Sequence, residues 1–187
     1  MNPQVWWYLA RSSGMVAWLM LTGSVVWGVV LSTKAFPNQR RPAWLRDLHS
    51  WLGGLTVAFL AVHVLALWAD SYVSFGPTEI FVPFTSDWRP VAVSLGVFAL
   101  WLLIAVEATS LAVRRLPRRA WRAVHLSSYL AFWLTSMHAA FSGTDRSSLI
   151  YQVTAVVAIV AVAWAAMYRV TNRRRTPGVR RDPVRTR

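Results

Sequence analysis

The residues of this 187-residue chain whose type and spacing could do chemistry are its four histidines. They fall in two apolar segments: His49 and His63 within residues 48–69, His125 and His138 within 121–141. Thirteen residues separate the first pair and twelve the second. At about 1.5 Å per residue each pair spans roughly 20 Å of helix, most of the hydrocarbon thickness of a bilayer at about 30 Å. One metal ion holds its ligands within a few ångströms, so the two histidines of one segment cannot share an ion. The spacing therefore predicts two sites, one near each membrane face, each taking one imidazole from each helix. Two opposed imidazoles across a helix bundle suit a haem, whose iron accepts nitrogens above and below the macrocycle. With both axial positions filled, the iron has no room for substrate, and such a site passes electrons. The competing reading is a set of buried, hydrogen-bonded histidines. Ionisable residues inside membranes are usually functional, and here the spacing recurs on two helices with no histidine elsewhere.

The elements that must position these residues are apolar helices. Hydrophobic residues make up 56 % of the chain, and five long apolar segments crowd into its length, which excludes an ordinary soluble globule. The expected fold is all-α: an integral membrane bundle of five transmembrane helices in a multi-pass protein of the cell membrane. The net charge of +13 raises the question of nucleic acid, but the arginines cluster between and after the apolar segments and not along one face, so no nucleic-acid partner is expected. Without cysteine, disulfides, iron–sulfur clusters and covalent haem attachment are excluded, and any haem is held by histidine and packing alone.

In order, residues 1–11 read as a short tail with interfacial Trp6, Trp7 and Tyr8, followed by a first span at about 12–32 that has no convincing cleavage site and is expected to be retained. The connection 33–47 holds Lys34, Arg40, Arg41 and Arg46, with Pro37 and Pro42 blocking helix continuation. After the first histidine span, residues 70–89 form the longest loop, with Asp70, Glu79 and Asp87 and the aromatics Tyr72, Phe75, Phe81, Phe84 and Trp88, too many for a free linker. A third span at about 90–113 leads to a basic turn, Arg114, Arg115, Arg118, Arg119 and Arg122 around Pro117, and then to the second histidine span. A fifth span at about 149–168 precedes a tail with seven arginines from Arg173 to Arg187. Basic loops stay inside, so the N-terminus is expected outside and the C-terminus inside. One span separates the two histidine helices, so both run from inside to outside. His49 must then face His125 near the cytoplasm, and His63 must face His138 near the outer surface.

Arg46 and Arg122 each precede an inner histidine by three residues, one helical turn away. They are candidates to hold haem propionates, since Arg matches a carboxylate in bidentate geometry, and equally they are ordinary positive-inside charge. At the outer face Arg89 is the corresponding candidate, ahead of Arg146, and either could simply be solvated. Gly53 and Gly54, one turn after His49, would let a porphyrin approach the backbone or let two helices pack closely. Glu107, near the inner end of the third span, is costly unless paired or wetted. The twelve tryptophans mostly sit near span ends as interfacial anchors. At 100° per residue, His49 and His63 share a face, whereas His125 and His138 differ by about 140°. The fourth span is therefore expected to bend or rewind, or its two haems to sit around different flanks of it; Ser127, Ser128, Thr135 and Ser136 are able to bond backward to carbonyls and bend it.

The run Trp121-Arg122-Ala123-Val124-His125-Leu126-Ser127-Ser128-Tyr129-Leu130, ending in His138, resembles the haem helix of the ferric reductase-like transmembrane family. His49-Ser50-Trp51-Leu52-Gly53 resembles its first haem helix, and Gly14 with the following apolar run its opening helix. The family includes the membrane parts of NADPH oxidases and ferric reductases and the haem subunit of a bacterial periplasmic methionine sulfoxide reductase. The similarity covers about residues 10–170. It implies a haem domain over residues 1–170, a basic cytoplasmic tail over 171–187, and two non-covalent haem b groups ligated by His49, His125, His63 and His138. The family's FAD and NADPH modules have no counterpart here, and no Gly-rich nucleotide fingerprint is present. The expected donor is therefore a partner flavoprotein reductase carrying FMN or FAD, or the quinone pool. The expected acceptor is an extracytoplasmic redox partner, ferric ion or oxygen. A metal or proton transporter using the histidines as stations is the alternative from another class, although transporters usually gather ligands near the midplane. A scaffold whose basic tail binds anionic membrane lipid is a third.

Overall fold

Seven helices account for the fold: α1 (Gln4–Ser32), α2 (Ala43–Ala69), α3 (Pro77–Phe81), α4 (Pro90–Leu111), α5 (Arg118–Leu126), α6 (Ser128–Ser142) and α7 (Leu149–Arg174). The structure, a computed structural model, describes residues 4–33, 43–71, 73, 75–144 and 147–174. Lys34, Pro37, Arg40, Arg41, Pro42, Tyr72, Arg146 and the tail from residue 175 onward lie outside the described residues. Among the described residues there are helices, turns and bends and no strand.

Four helices are long and apolar enough to cross a membrane: α1, α2, α4 and residues 149–171 of α7. The expected second histidine span is divided at Ser127 into α5, of 9 residues, and α6, of 15, each too short alone. The local cause lies in the serine. Its Oγ donates to Val124 O at 2.7 Å, and its backbone N–H reaches the same carbonyl at 3.0 Å, an i→i−3 bond that tightens the turn before Ala131 N–H resumes helical bonding to Ser127 O at 2.9 Å. The break falls between His125 and His138, where the sequence allowed a bend or a local rewinding.

α1 starts earlier than expected. The segment read as a tail with Trp6, Trp7 and Tyr8 is helical from Gln4, because nothing in its sequence breaks a helix and because Ala10, buried at 4 % exposure, packs into the structure. Along α1, Ala10, Gly14, Ala17, Leu21, Ser24 and Gly28 recur at intervals of three and four, so that one mostly small-residue face meets α2. The two helices are antiparallel: Gly14 lies against His63 and Gly28 against His49. A second antiparallel pair repeats the plan, with Gly96 of α4 against His138 of α6, and Ser110 of α4 beside His125 of α5. α4 begins at Pro90, whose missing N–H costs nothing in a first turn, after Arg89 in the left-handed region at φ 45°.

Between the two hairpins lies a core of Trp18, Leu21 and Val25 from α1, Leu103 from α4, Ala131 and Phe132 from α6, and Ala158 and Val162 from α7. Phe132 is completely buried, and its truncation to Ala would cost about 3–5 kcal/mol. Trp18 Nε1 donates to Ser136 Oγ at 3.0 Å, tying α1 to α6, and Arg169 of α7 donates to Tyr129 Oη at 3.1 Å. The aromatic content of the loop 70–89 predicts a segment folded over the outer membrane face; of its described residues, Phe81 and Phe84 pack on α4. Phe84 N–H donates to Ser94 Oγ at 2.7 Å, Trp101 Nε1 to Phe81 O at 3.0 Å, and Phe75 meets Trp88 edge-on. The perimeter is apolar and uncovered, with Trp51 at 70 % and Ile150 at 79 % exposure, the surface of a chain solvated by lipid.

Candidate electron-transfer site

The four histidines form two layers. His49 of α2 faces His125 of α5 with ring centres 5.9 Å apart and ring planes 75° apart. His63 of α2 faces His138 of α6 at 6.4 Å and 83°. The pairing expected from parallel histidine helices is thus the pairing in the structure. A metal-bound imidazole nitrogen lies about 2 Å from a first-row metal and roughly 1 Å from its own ring centre, so rings on opposite sides of one metal have centres about 6 Å apart. Both pairs meet that spacing. Among the described residues no group of three or more His, Cys, Asp or Glu could hold a metal ion, so each layer offers two protein nitrogens and no more. A porphyrin brings its own four equatorial nitrogens and needs only two from the protein.

The distal nitrogen of each ring has its own partner. His63 Nδ1 lies 2.7 Å from Ala10 O, and His138 Nδ1 lies 2.7 Å from Ala92 O. A carbonyl can only accept, so each Nδ1 carries the proton and Nε2 is left free as a ligand. In the other layer His49 Nδ1 lies 3.3 Å from Ser24 Oγ, and His125 Nδ1 3.4 Å from Ser110 Oγ. Glycine makes these approaches possible. A Cβ on Gly14 would stand 2.8 Å from His63 Nδ1, one on Gly96 2.8 Å from His138 Nδ1, and one on Gly28 3.3 Å from His49 Cε1. These three imidazoles lie on helix surfaces where no side chain rises, and from there the outer two reach a carbonyl four residues upstream.

Trp121 stacks on His125 with ring centres 4.9 Å apart and planes 23° apart. Its Nε1 is buried and has no hydrogen-bond partner among the described residues. An unmet donor beside a histidine layer fits a group that brings acceptors, and haem carries two propionates. On this donor, on the ring spacing and on the tautomers, the residues present fit a haem in each layer.

Other expected site residues are placed less centrally. Arg46 and Arg122 are exposed, each one turn before its histidine. Arg89 donates to Phe141 O at 2.6 Å, closing the end of α6 on the N-terminus of α4. Gly53 faces α4, where its Cβ would lie 3.7 Å from Glu107 Oε2, and nothing stands within 4 Å of a Cβ on Gly54. Sequence reasoning missed Ala10, Ser24, Gly28, Ala92, Gly96 and Ser110 as partners of the histidines, and took Trp121 for an interfacial anchor. A signal for half of them was present: Ala10 to Ser24 and Gly14 to Gly28 repeat the fourteen-residue interval of His49 to His63.

A chain of long apolar helices with an apolar perimeter is a multi-pass membrane protein, here with histidines paired across its interior. Residues 13–136 match the family described as ferric reductase-like transmembrane component, and the chain belongs to that family. The match contains His49, His63 and His125 and stops two residues before His138. No curated protein and no solved structure matches the chain.

Proposed function

We propose that the chain carries electrons across the membrane through two bis-histidine b-type haems, from a cytoplasmic flavin or quinol donor to an acceptor on the opposite side. The observation that carries this reading is the pair of cross-helix imidazole distances, 5.9 and 6.4 Å, in two layers. Haem would supply reversible one-electron chemistry at each layer. His49 and His125 would hold the inner group, and His63 and His138 the outer one. Held by two histidines in each layer, the group would pass electrons and leave oxygen and substrate unbound. Trp121 would hold an inner propionate, with Arg46 and Arg122 adding positive charge at that end, and Arg89 would add it at the outer end. Phe132, seven residues from His125 and fully buried, stands between the layers and keeps water out. α5 and α6 together would form the fourth of five spans, with the N-terminus outside and the C-terminus inside, because the exposed arginines of α5 favour the cytoplasmic face.

A metal or proton transporter is the other reading. Against it, a protein-only cation site needs more than two ligands, and the described residues gather no third. The test is an absorption spectrum of the purified protein, oxidised and dithionite-reduced, with pyridine haemochrome quantitation. Split b-type bands and two non-covalent haems per chain are expected; a featureless spectrum after haem-replete expression overturns the proposal.

A further inference from the structure

Glu107 is an acid inside a membrane-crossing helix, one turn before α4 ends at Leu111. It is half-buried, and its carboxyl has no hydrogen-bond or ion-pair partner among the described residues. An ionisable side chain at that depth is costly unless something meets it, which marks it as a functional group. The seam in which it stands has room for a ligand. α2 and α4 barely touch, whereas α1 with α2 and α4 with α6 pack along their lengths. Glu107 Oε2 lies 3.7 Å from where a Cβ on Gly53 would stand, so the missing side chain leaves a slot opposite the carboxyl. Arg46, Ser50, Gly53 and Val57 recur at helical intervals along that flank of α2, and all but the glycine are exposed. On α4, Ile104 and Leu111, a turn to either side of Glu107, are exposed at 43 % and 79 %. The seam opens sideways to lipid, with apolar walls and one carboxyl between them.

We propose that the seam between α2 and α4 binds a lipid-soluble hydroquinone and that Glu107 accepts its protons. This rests on the electron-transfer reading above and chooses between the two donors named there. An unmet carboxylate calls for a hydrogen-bond donor, and a hydroquinone brings an O–H, a flat ring for the slot at Gly53 and a tail that stays in lipid. A flavin nucleotide is disfavoured, because its phosphate is an anion and Glu107 repels it. The slot is also close to the inner layer. Ser110, one turn beyond Glu107, has its Oγ 3.4 Å from His125 Nδ1, and Gly53 is one turn from His49, which puts the slot within about 10 Å of both imidazoles. Oxidation breaks both O–H bonds of the hydroquinone and converts both ring C–O bonds to C=O. Its two electrons leave one at a time toward the His49–His125 layer, and its two protons leave in succession through Glu107. Each proton passes to water at the end of α4, about 6 Å along the helix, where Arg114 and Arg115 are exposed. Protons are thus released on the cytoplasmic side while the electrons depart to the other.

The test has a binding arm and a kinetic arm, both on the full chain in lipid nanodiscs. In the first, the haem-free chain is photolabelled with an azido-substituted ubiquinone and the labelled peptides are mapped. Label is expected in the segments 46–57 and 100–111, displaced by excess decylubiquinol and lost in Gly53→Leu, which fills the slot. Label confined to other segments, or undisplaced by decylubiquinol, overturns the inference. In the second, reduction of the haem-loaded chain by decylubiquinol is followed by stopped flow. Glu107→Gln should slow it by roughly tenfold or more, and Glu107→Asp should restore part of the rate. An equal fall in the rate with dithionite, which needs no proton acceptor, overturns the assignment of Glu107. Reduction by NADH with an added flavin reductase but not by decylubiquinol overturns the inference and leaves the electron-transfer reading intact. A chain that takes the label in the seam but no haem sustains the binding site and overturns that reading.

Discussion

Gly96 and His138 are in such close contact that a methyl group on the glycine would stand 2.8 Å from both Cε1 and Nδ1 of the imidazole. No side chain occupies that space without moving the ring, and the ring's Nδ1 is held to the same helix by Ala92 O. Gly14 stands in the same relation to His63. Gly96→Ala or Gly14→Ala should therefore cost about 1–3 kcal/mol through overpacking and lower haem content from two toward one per chain. Gly28→Ala, with 3.3 Å available, should retain both. Haem content per chain by pyridine haemochrome checks the set, and a Gly96→Ala protein with two unaltered haems would contradict the proposed placement.

Trp121 makes a prediction whose sign depends on loading. Its buried Nε1 lacks a partner among the described residues, and an unmet buried donor costs about 1–3 kcal/mol. Trp121→Phe keeps a ring to stack on His125 and removes the donor. The haem-free variant should be more stable by about 1–2 kcal/mol, whereas haem should dissociate from the inner site several-fold faster than in the parent. Thermal unfolding of the haem-free protein and haem transfer to apomyoglobin measure the two arms. Destabilisation of the haem-free form would mean that the indole N–H is satisfied.

The histidine spacing displayed the two-layer plan in the sequence because a metal's reach is short and a helix's rise is fixed, so 49, 63, 125 and 138 admit few arrangements. The phase conflict between His125 and His138 was legible as well, and it located a bend without choosing the residue; Ser127 holds it through its bond to Val124 O. What could not be read was the rotational setting of α1 and α4. Ala10, Ser24, Ala92 and Ser110 become partners of the histidines only when those helices turn particular faces inward, and an all-round apolar helix such as α4 has no polar face to reveal it. Gly96 was hidden for the same reason, inside an uninterrupted apolar run. Trp121 resembled every other tryptophan near a span end, since stacking is a property of two rings and not of one residue.

Ring orientation yields a spectroscopic prediction. The imidazole planes are 75° apart in one layer and 83° in the other. Each axial imidazole raises one of two iron π-orbitals, so near-perpendicular rings raise both alike and leave them nearly degenerate. Both low-spin ferric haems should therefore give strongly anisotropic electron paramagnetic resonance signals with a large principal g value. Two ordinary rhombic signals, the mark of parallel rings, would show that the rings turn on loading.

The pairing of layers is open to a sharper test by double substitution, because His63 and His138 belong to one layer and His63 and His125 to different ones. Loss of either ligand spoils its layer, so removing the second ligand of the same layer should do little more; residues that act as a unit are not additive. His63→Ala with His138→Ala should thus resemble either single variant and keep one bis-histidine haem, the inner one. His63→Ala with His125→Ala should leave none, and the low-spin ferric signals should vanish together. The opposite result, in which the His63 and His125 double variant keeps an intact bis-histidine haem, would require α2 and α6 to run antiparallel. That outcome would remove the shared inner and outer layers and the inside-to-outside path assigned to them.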